Sequence, residues 1–456
     1  MSHGFDPTIL REYDVRGVVG KTLHAADAHA IGRGFATRMV RSGGRRVAVG
    51  YDGRLSSPAL EAALIAGLTE SGVDVVRIGL GPTPMLYYAE THLGVDGGVQ
   101  ITGSHNPADQ NGFKLVLRHA PFFGPDLRHL ATLAEAGDWT EGAGSVGDAD
   151  VLDAYVERLM AGFGGGTYRI GWDTGNGASV PVIERLVRRL PGEHHLLFTE
   201  VDGSFPNHHP DPSEEANLAD LRALVARESL DFGFAFDGDG DRIGAIDARG
   251  RVLAGDQILA VLAESVLRDL PGATIIGDVK MSGALFDRVR ALGGVPLMAK
   301  AGHSHMKVKL HETGAPLAGE MSGHVFFGHD FYGVDDAQYA AVRLIDAVRA
   351  SGQTLAELRD AMPDMVNTPE LRFPVAEARK FAVIDEVLDR LAAAGATVDR
   401  TDGARVDTAE GWWLLRASNT QSMLVARAEG QDQAGLDRLL AQLDAQLAAS
   451  GVTRAG

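Results

Sequence analysis

Short apolar, β-branched runs alternate with longer stretches of helical period through most of the chain. RRVAVGYD precedes SSPALEAALIAGLTESG, and VDVVRIGL and then GGVQIT follow. This alternation predicts an α/β unit, in which strands are separated by amphipathic crossovers. The pattern restarts at TYRIGWDTGNG with VPVIERLVRRL and closes on LDFGFAFDGDGDRIGAID. A third round begins at GDQILAVLAESVLRDL, continues through TIIGDVK and ends near Met362. Three rounds of similar length suggest duplicated α/β units. After Pro363 the texture changes to RFPV, a predicted helix from Ala376 to Ala394, two strand-like runs (GWWLLRASN and QSMLVARAEG) and a closing amphipathic helix, QAGLDRLLAQLDAQLAAS. That reads as a smaller α+β domain. Boundaries near Asp150, Gly250 and Met365 divide the chain into residues 1–150, 151–250, 251–365 and 366–456.

Length agrees with this division, since 456 residues at ~100–200 per domain allow two to four domains. The 43 basic and 61 acidic side chains leave a net charge of −18, the wrong sign for a general nucleic-acid binder. An anionic ligand must therefore be met by local cations. The absence of Cys excludes disulfides, thiolate catalysis and Cys-ligated metals. No export signal is expected in MSHGFDPTILREYDVRG. The most apolar run, Val252 to Leu267, is broken by Asp256, Gln257 and Glu264 and falls short of a membrane span. The expectation is a soluble, cytoplasmic protein with neither nucleic-acid nor membrane partners.

Chemistry concentrates in a few loops. Asp237, Asp239 and Asp241 alternate with Gly238 and Gly240 directly after the apolar strand FGFAF. In an extended strand such side chains lie ~6.6 Å apart, too far to share a Mg2+ with oxygens at ~2.0–2.1 Å, so the glycines must let the segment turn around an ion. An EF-hand is excluded, because its sixth position is Arg242 and its twelfth Ala248. The bland alternative is a solvated acidic turn, which such dense like charge disfavours.

Thr102-Gly103-Ser104-His105-Asn106-Pro107 ends another predicted strand and is followed by Asn111-Gly112-Phe113-Lys114. A Ser between Gly and an Asn-Pro turn can be an exposed nucleophile, with His105 and Lys114 close in sequence. Taken alone, Ser104 and Asn106 could equally serve only local turn hydrogen bonds. Three other chemistries fail on spacing. No Gly-x-Ser-x-Gly elbow surrounds Ser104 or Ser322. The P-loop look-alike at Gly20-Lys21-Thr22 has Val15 where its first glycine belongs. The Gly162–Gly166 cluster precedes a strand instead of opening a helix.

TGSHNP, DGDGDR, GEMSGH and RASNT, in that order at Thr102, Asp237, Gly319 and Arg416, together resemble the α-D-phosphohexomutase superfamily, most closely its bacterial phosphomannomutase/phosphoglucomutase branch. The resemblance spans the chain, from Tyr13-Asp14-Val15-Arg16-Gly17 to the last domain. It implies three related α/β domains and a fourth, smaller domain around a central cleft. It makes Ser104 the carrier of the transferable phosphoryl group. Asp237, Asp239 and Asp241 would hold Mg2+, with an oxygen of phosphorylated Ser104 completing the set.

By the same resemblance, Arg16, His105, Lys114 and Arg242 surround the phosphoserine, and Arg16 and Lys114 are candidates to orient and deprotonate the attacking hydroxyl. A Lys base needs a lowered pKa, which Arg16 and the metal could provide. The choice of base among Arg16, Lys114 and His324 stays open. Glu320 and Ser322 would read the sugar 3- and 4-hydroxyls, which glucose and mannose share, so a dual-specificity site is expected. Tyr13, Lys280, Gly302, His303 and His324 match further positions facing the substrate. Arg416, Ser418, Asn419 and Thr420 would clamp the phosphate that is not transferred. Gly103 stands where many relatives carry Ala, and either residue is expected to be small enough there.

The implied reaction moves phosphate between the 1- and 6-positions of a small-molecule hexose phosphate. A hexose 1,6-bisphosphate is its intermediate and activator, and the enzyme would be a monomer or small homo-oligomer. Amino-sugar mutases usually read Glu-Gln-Ser and Arg-x-Ser-Gly-Thr-Glu where this chain has Met321 and Asn419. A sugar-phosphate binding protein with a disabled site is the non-enzymatic alternative. The five cations Arg16, Lys114, Arg242, Lys280 and Arg416 are expected to converge on the cleft, leaving the acidic excess outside.

Overall fold

A computed structural model describes residues 2–418 and 422–453. Among the described residues the strands form four sheets, and the first three share one plan. In each, a strand pairs in parallel with its two successors, and the last of these turns back into an antiparallel neighbour. The first sheet runs Gln110–Leu117, Gly97–Ile101, Arg46–Tyr51, Asp74–Leu80 across this shared part. The second runs Ile243–Asp247, Phe232–Phe236, Tyr168–Asp173, Gly192–Leu197. The third runs Val325–Phe327, Leu317–Gly319, Thr274–Asp278, Val295–Ala299. The expected duplication is thus visible in strand order. Helices such as Ser57–Glu70, opened by Pro58, supply the long crossovers that parallel pairing requires.

This shared plan positions the chemistry. The turn from the third parallel strand into the antiparallel strand contains TGSHNP in the first unit, DGDGDR in the second and EMSGH in the third. Side chains are therefore delivered from the carboxyl end of a strand in all three cases, where open α/β sheets place their ligands.

The fourth sheet is antiparallel and carries the helices Glu377–Ala393 and Gln433–Ala449. The second of these is capped by Asp432, whose carboxylate accepts the Gly435 N–H at 2.7 Å. One continuous apolar core runs through all three α/β units, from Leu86 and Tyr88 through Trp172 and Phe234 to Leu259 and Tyr339. The fourth unit has its own core around Trp413, Leu415 and Leu439. It meets the third through a small cluster, Val279, Ala301, Trp412 and Leu414. No helix among the described residues is long and apolar enough to cross a membrane.

Candidate active site

Ser104 lies in the left-handed region at φ 49°, a conformation that costs a non-Gly residue energy and must be enforced by its surroundings. The enforcement is polar. The Thr102 hydroxyl accepts the Ser104 N–H at 2.7 Å, and the Asp52 carboxylate accepts the Gly103 N–H at 2.9 Å. The fully buried Arg54 guanidinium donates to the carbonyls of Ser104 (2.7 Å), Asn106 (2.6 Å), Pro107 (2.5 Å) and Gln110 (2.8 Å). A Cβ at Gly103 would run into that guanidinium. An Ala at this position would require Arg54 to move.

The Ser104 hydroxyl donates to Asp237 Oδ2 at 3.0 Å and lies 3.2 Å from His105 Nδ1. Asp237, Asp239 and Asp241 are fully buried, and their oxygens lie within 4.8 Å of one another. The tight turn that brings them together has Asp237 Oδ1 accepting the N–H groups of Asp241 (3.0 Å) and Arg242 (3.1 Å). Burial, followed by the charges of Asp239 and Asp241, pushes the Asp237 carboxyl well above its ordinary range. Asp239 Oδ1 is buried without a hydrogen-bond partner. Crowded, dry carboxylates with an orphaned oxygen fit a small divalent cation that prefers oxygen ligands.

Lys114 Nζ reaches Asp239 Oδ2 at 2.8 Å and also pairs with Asp241. Burial opposes its charge, but Asp239 and Asp241 outweigh burial and raise the Lys114 pKa. Arg16 does act to lower it, as expected, but on its own is outweighed by the two carboxylates in contact. Arg16 donates to Asp14 at 2.8 Å and to the Thr102 carbonyl at 2.6 Å.

His324 bridges two loops, with Nε2 3.2 Å from Asp241 Oδ1 and Nδ1 3.3 Å from Glu320 Oε2. Burial works against its charge, yet those carboxylates push its pKa up to about 9, which favours the imidazolium form. The Ser322 hydroxyl lies 2.8 Å from the same Nδ1, and Glu320 Oε1 accepts the Gly302 N–H at 2.5 Å. Glu320 and Ser322 are thereby fixed in place. Gly302 has φ +125°, and the Tyr13 ring occupies the space a Cβ would need. Tyr13 also donates to the Ala301 carbonyl at 2.8 Å. His303 is held neutral by burial and by the charges of Lys307 and Lys114.

Tyr13, Arg16, Ser104, His105, Lys114, Arg242, Gly302, His303, Glu320, Ser322 and His324 line one cleft of about 820 Å³ together with Lys280, Arg416 and Ser418, so loops from all four units meet there, and the three aspartates lie buried in contact with Ser104, Lys114 and His324. All five cations expected at the cleft line it. Arg416 Nε donates to Asp402 at 2.8 Å, and the Ser418 carbonyl accepts Lys380 Nζ at 2.8 Å. Asn419 and Thr420 lie outside the described residues. The cleft is not purely cationic, since Asp14, Asp211, Glu214 and Glu370 also line it.

Sequence reasoning missed Arg54, Asp211, Arg372 and Arg427. Arg54 could have been flagged from Asp52-Gly53-Arg54, which follows a strand just as the named loops do. Asp211 Oδ1, 4.0 Å from Arg242, carries no comparable signal. Arg372 and Arg427 add charge from the fourth unit.

The phosphoglucomutase/phosphomannomutase alpha/beta/alpha domain models I, II and III match residues 7–140, 153–250 and 254–365, and the family's C-terminal domain model matches 370–446. The chain is 44% identical over 434 residues to a phosphomannomutase/phosphoglucomutase of Pseudomonas putida, covering 95% of this chain and 94% of the relative. It is 40% identical to a phosphoglucomutase of Neisseria gonorrhoeae, over 94% of this chain and 95% of the relative. Among solved structures, a phosphoglucomutase/phosphomannomutase family protein from Burkholderia thailandensis superposes with a TM-score of 0.93 at 42% identity, covering 98% of both chains.

Proposed function

The chain belongs to the phosphoglucomutase/phosphomannomutase family, and from that premise we propose that it moves phosphate reversibly between the 1- and 6-positions of glucose phosphate and mannose phosphate through phosphorylated Ser104 and a hexose 1,6-bisphosphate. One observation carries the mechanism: Ser104, held in a strained backbone conformation, directs its hydroxyl at Asp237 in a cleft reached by all four units.

In the forward half-reaction the bond from phosphorus to Ser104 Oγ breaks as a bond forms to the oxygen of the free substrate hydroxyl. The hydroxyl proton leaves to a base, and Ser104 Oγ takes up a proton. The bisphosphate then turns around, and Ser104 Oγ accepts the other phosphoryl group with the reverse proton movement. The role of this chain is largely electrostatic, because a metaphosphate-like transition state needs its spread charge matched. Arg16, Lys114, Arg242 and the His324 imidazolium supply positive charge around Ser104. Asp237, Asp239 and Asp241 would hold Mg2+, which supplies further positive charge to the phosphoryl oxygens. Lys114 and His324, protonated in this arrangement, act as cation and proton donor until a neighbouring carboxylate is drawn away.

At the far end Arg416 and Ser418, with Asn419 and Thr420, hold the phosphate that stays. Glu320 and Ser322 read hydroxyls that both epimers present alike, and Tyr13, Lys280, Gly302 and His303 shape the wall. Relatives named for both substrates support a site that tolerates either epimer. The same reading puts the enzyme in the cytoplasm as a monomer or small homo-oligomer. Intact-mass analysis should find one phosphate, localised to Ser104. Turnover on glucose 1-phosphate and mannose 1-phosphate should exceed that on glucosamine 1-phosphate; the reverse order would move the assignment to an amino-sugar mutase.

A further inference from the structure

Three successive carbonyls of the aspartate loop are each held by the start of a helix from a different α/β unit. Gly238 O accepts the Ala178 N–H at 2.9 Å, just before the helix Val180–Val187 of the second unit. Asp239 O accepts the Thr83 N–H at 2.8 Å, where the helix Thr83–His92 of the first unit begins. Gly240 O accepts Gln338 Nε2 at 3.0 Å, in the first turn of Ala337–Ser351 of the third unit.

Thr83 and Gln338 are fully buried. Gln338 Nε2 also donates to Ser179 Oγ at 2.9 Å, while its oxygen accepts the Tyr155 hydroxyl at 3.2 Å. Gly240 lies at φ +72°, and a Cβ there would meet Gln338 Nε2 at 2.6 Å and Pro82 Cβ at 2.9 Å, as well as Ser179. The turn therefore exists only where three units close on it.

The Thr83 side chain adds chemical selectivity. Its hydroxyl donates to Asp239 Oδ2 at 2.5 Å, the same oxygen that Lys114 reaches at 2.8 Å. Both donors lie on one oxygen, while Oδ1 has no partner. Thr83 thus selects which carboxylate oxygen is offered to a cation.

We propose that Thr83 and Gln338 are positioning residues for the cation site, so that divalent-metal affinity is a property of three docked units and not of the Asp loop alone. Groups that orient metal-binding carboxylates typically change affinity by about 10–100-fold when removed. The inference rests on the reading that Asp237, Asp239 and Asp241 hold a divalent cation.

The test is Mn2+ titration of the full-length, dephosphorylated protein, followed by the loss of the free-ion electron paramagnetic resonance signal. Melting curves without metal establish that each variant is folded at the titration temperature. Thr83→Val, close to isosteric, should weaken Mn2+ binding about 10–100-fold, whereas Thr83→Ser, which keeps the hydroxyl, should stay within about threefold of wild type. Gln338→Leu should weaken it about tenfold. If the wild-type protein shows no saturable Mn2+ binding either dephosphorylated or phosphorylated on Ser104, the cation reading itself fails. If it binds Mn2+ and folded Thr83→Val binds equally well, or only melts earlier, the positioning role is overturned.

Discussion

The aspartate loop and the Arg416 loop face the same cleft but are held very differently. The first is fully buried, braced by three α/β units and embedded in their common core. The second extends from a sheet with a separate core, joined to the third unit by a small apolar cluster and by hydrogen bonds of Asp402, Arg405, Arg427 and Glu429. The lesson is a division of labour: rigid placement where phosphoryl transfer occurs, and looser attachment where one end of a reorienting substrate must be grasped and released.

The largest effect should come from the rigid side. Ser104→Ala should lower mutase turnover by roughly 10⁴-fold or more, because the group that carries the phosphate is gone. Intact-mass analysis should find no phosphate on the variant. Turnover near wild type would remove phosphoserine from the mechanism.

The joint between the two regions comes next. Arg405 is fully buried and donates at 2.8 Å to the carbonyls of both Val279 and Met281 across the boundary. Its guanidinium also lies 3.8 Å from the Trp412 ring centroid. Arg405→Met would leave two carbonyls unpaired and remove the cation–π contact, a cost of about 3–5 kcal/mol. Calorimetry should show the fourth unit melting earlier and separately from the other three. A single, unshifted transition would mean that the fourth unit is not an independent body.

A smaller effect should separate grasping from chemistry. Arg416→Ala removes one charge-assisted contact to the distal phosphate and should raise the KM for glucose 1-phosphate about 100-fold. Mn2+ affinity should be unchanged, since no described residue of the fourth unit hydrogen-bonds the aspartate loop's carbonyls. Equal losses in Mn2+ affinity and substrate affinity would erase the contrast between the two regions.

Much of this contrast was legible in the residues themselves. The alternation of strands and helices announced three α/β rounds and an α+β tail, and the loops at Thr102, Asp237, Gly319 and Arg416 announced the site. Those signals are local: each loop carries its chemistry within a few consecutive residues at a strand end. The bracing was not legible, because its partners are distant in sequence and individually ordinary. Thr83 and Gln338 sit in helices with no motif of their own, and only folding brings them to Asp239 and Gly240. The pairing of Lys114 was not legible for a related reason. Arg16 was visible as a neighbour through a shared motif set, whereas direct pairing of the ammonium with two aspartates required the three-dimensional turn.

The subtlest test uses Asp336, which caps the helix carrying Gln338 and therefore reports on the rigid body alone. Its Oδ1 accepts the Tyr339 N–H at 2.8 Å and its Oδ2 accepts the Tyr155 hydroxyl at 2.7 Å. Burial dominates over these hydrogen bonds and raises its pKa to about 7. An unfolded Asp ionises near pH 4, so between about pH 4 and 7 the unfolded chain holds fewer protons than the native one, and stability must fall as pH rises through that window. Asp336→Asn keeps a capping oxygen and cannot ionise. Relative to wild type it should gain about 1–2 kcal/mol between pH 4.5 and pH 8, once relaxation around the ionised carboxylate is allowed for. In calorimetry that gain should appear only in the transition of the three-unit body and leave the fourth unit's melting unmoved. A gain in the fourth unit's transition would show that the two regions unfold as one. The same pH slope in both proteins would place the ionisation of Asp336 in its ordinary range.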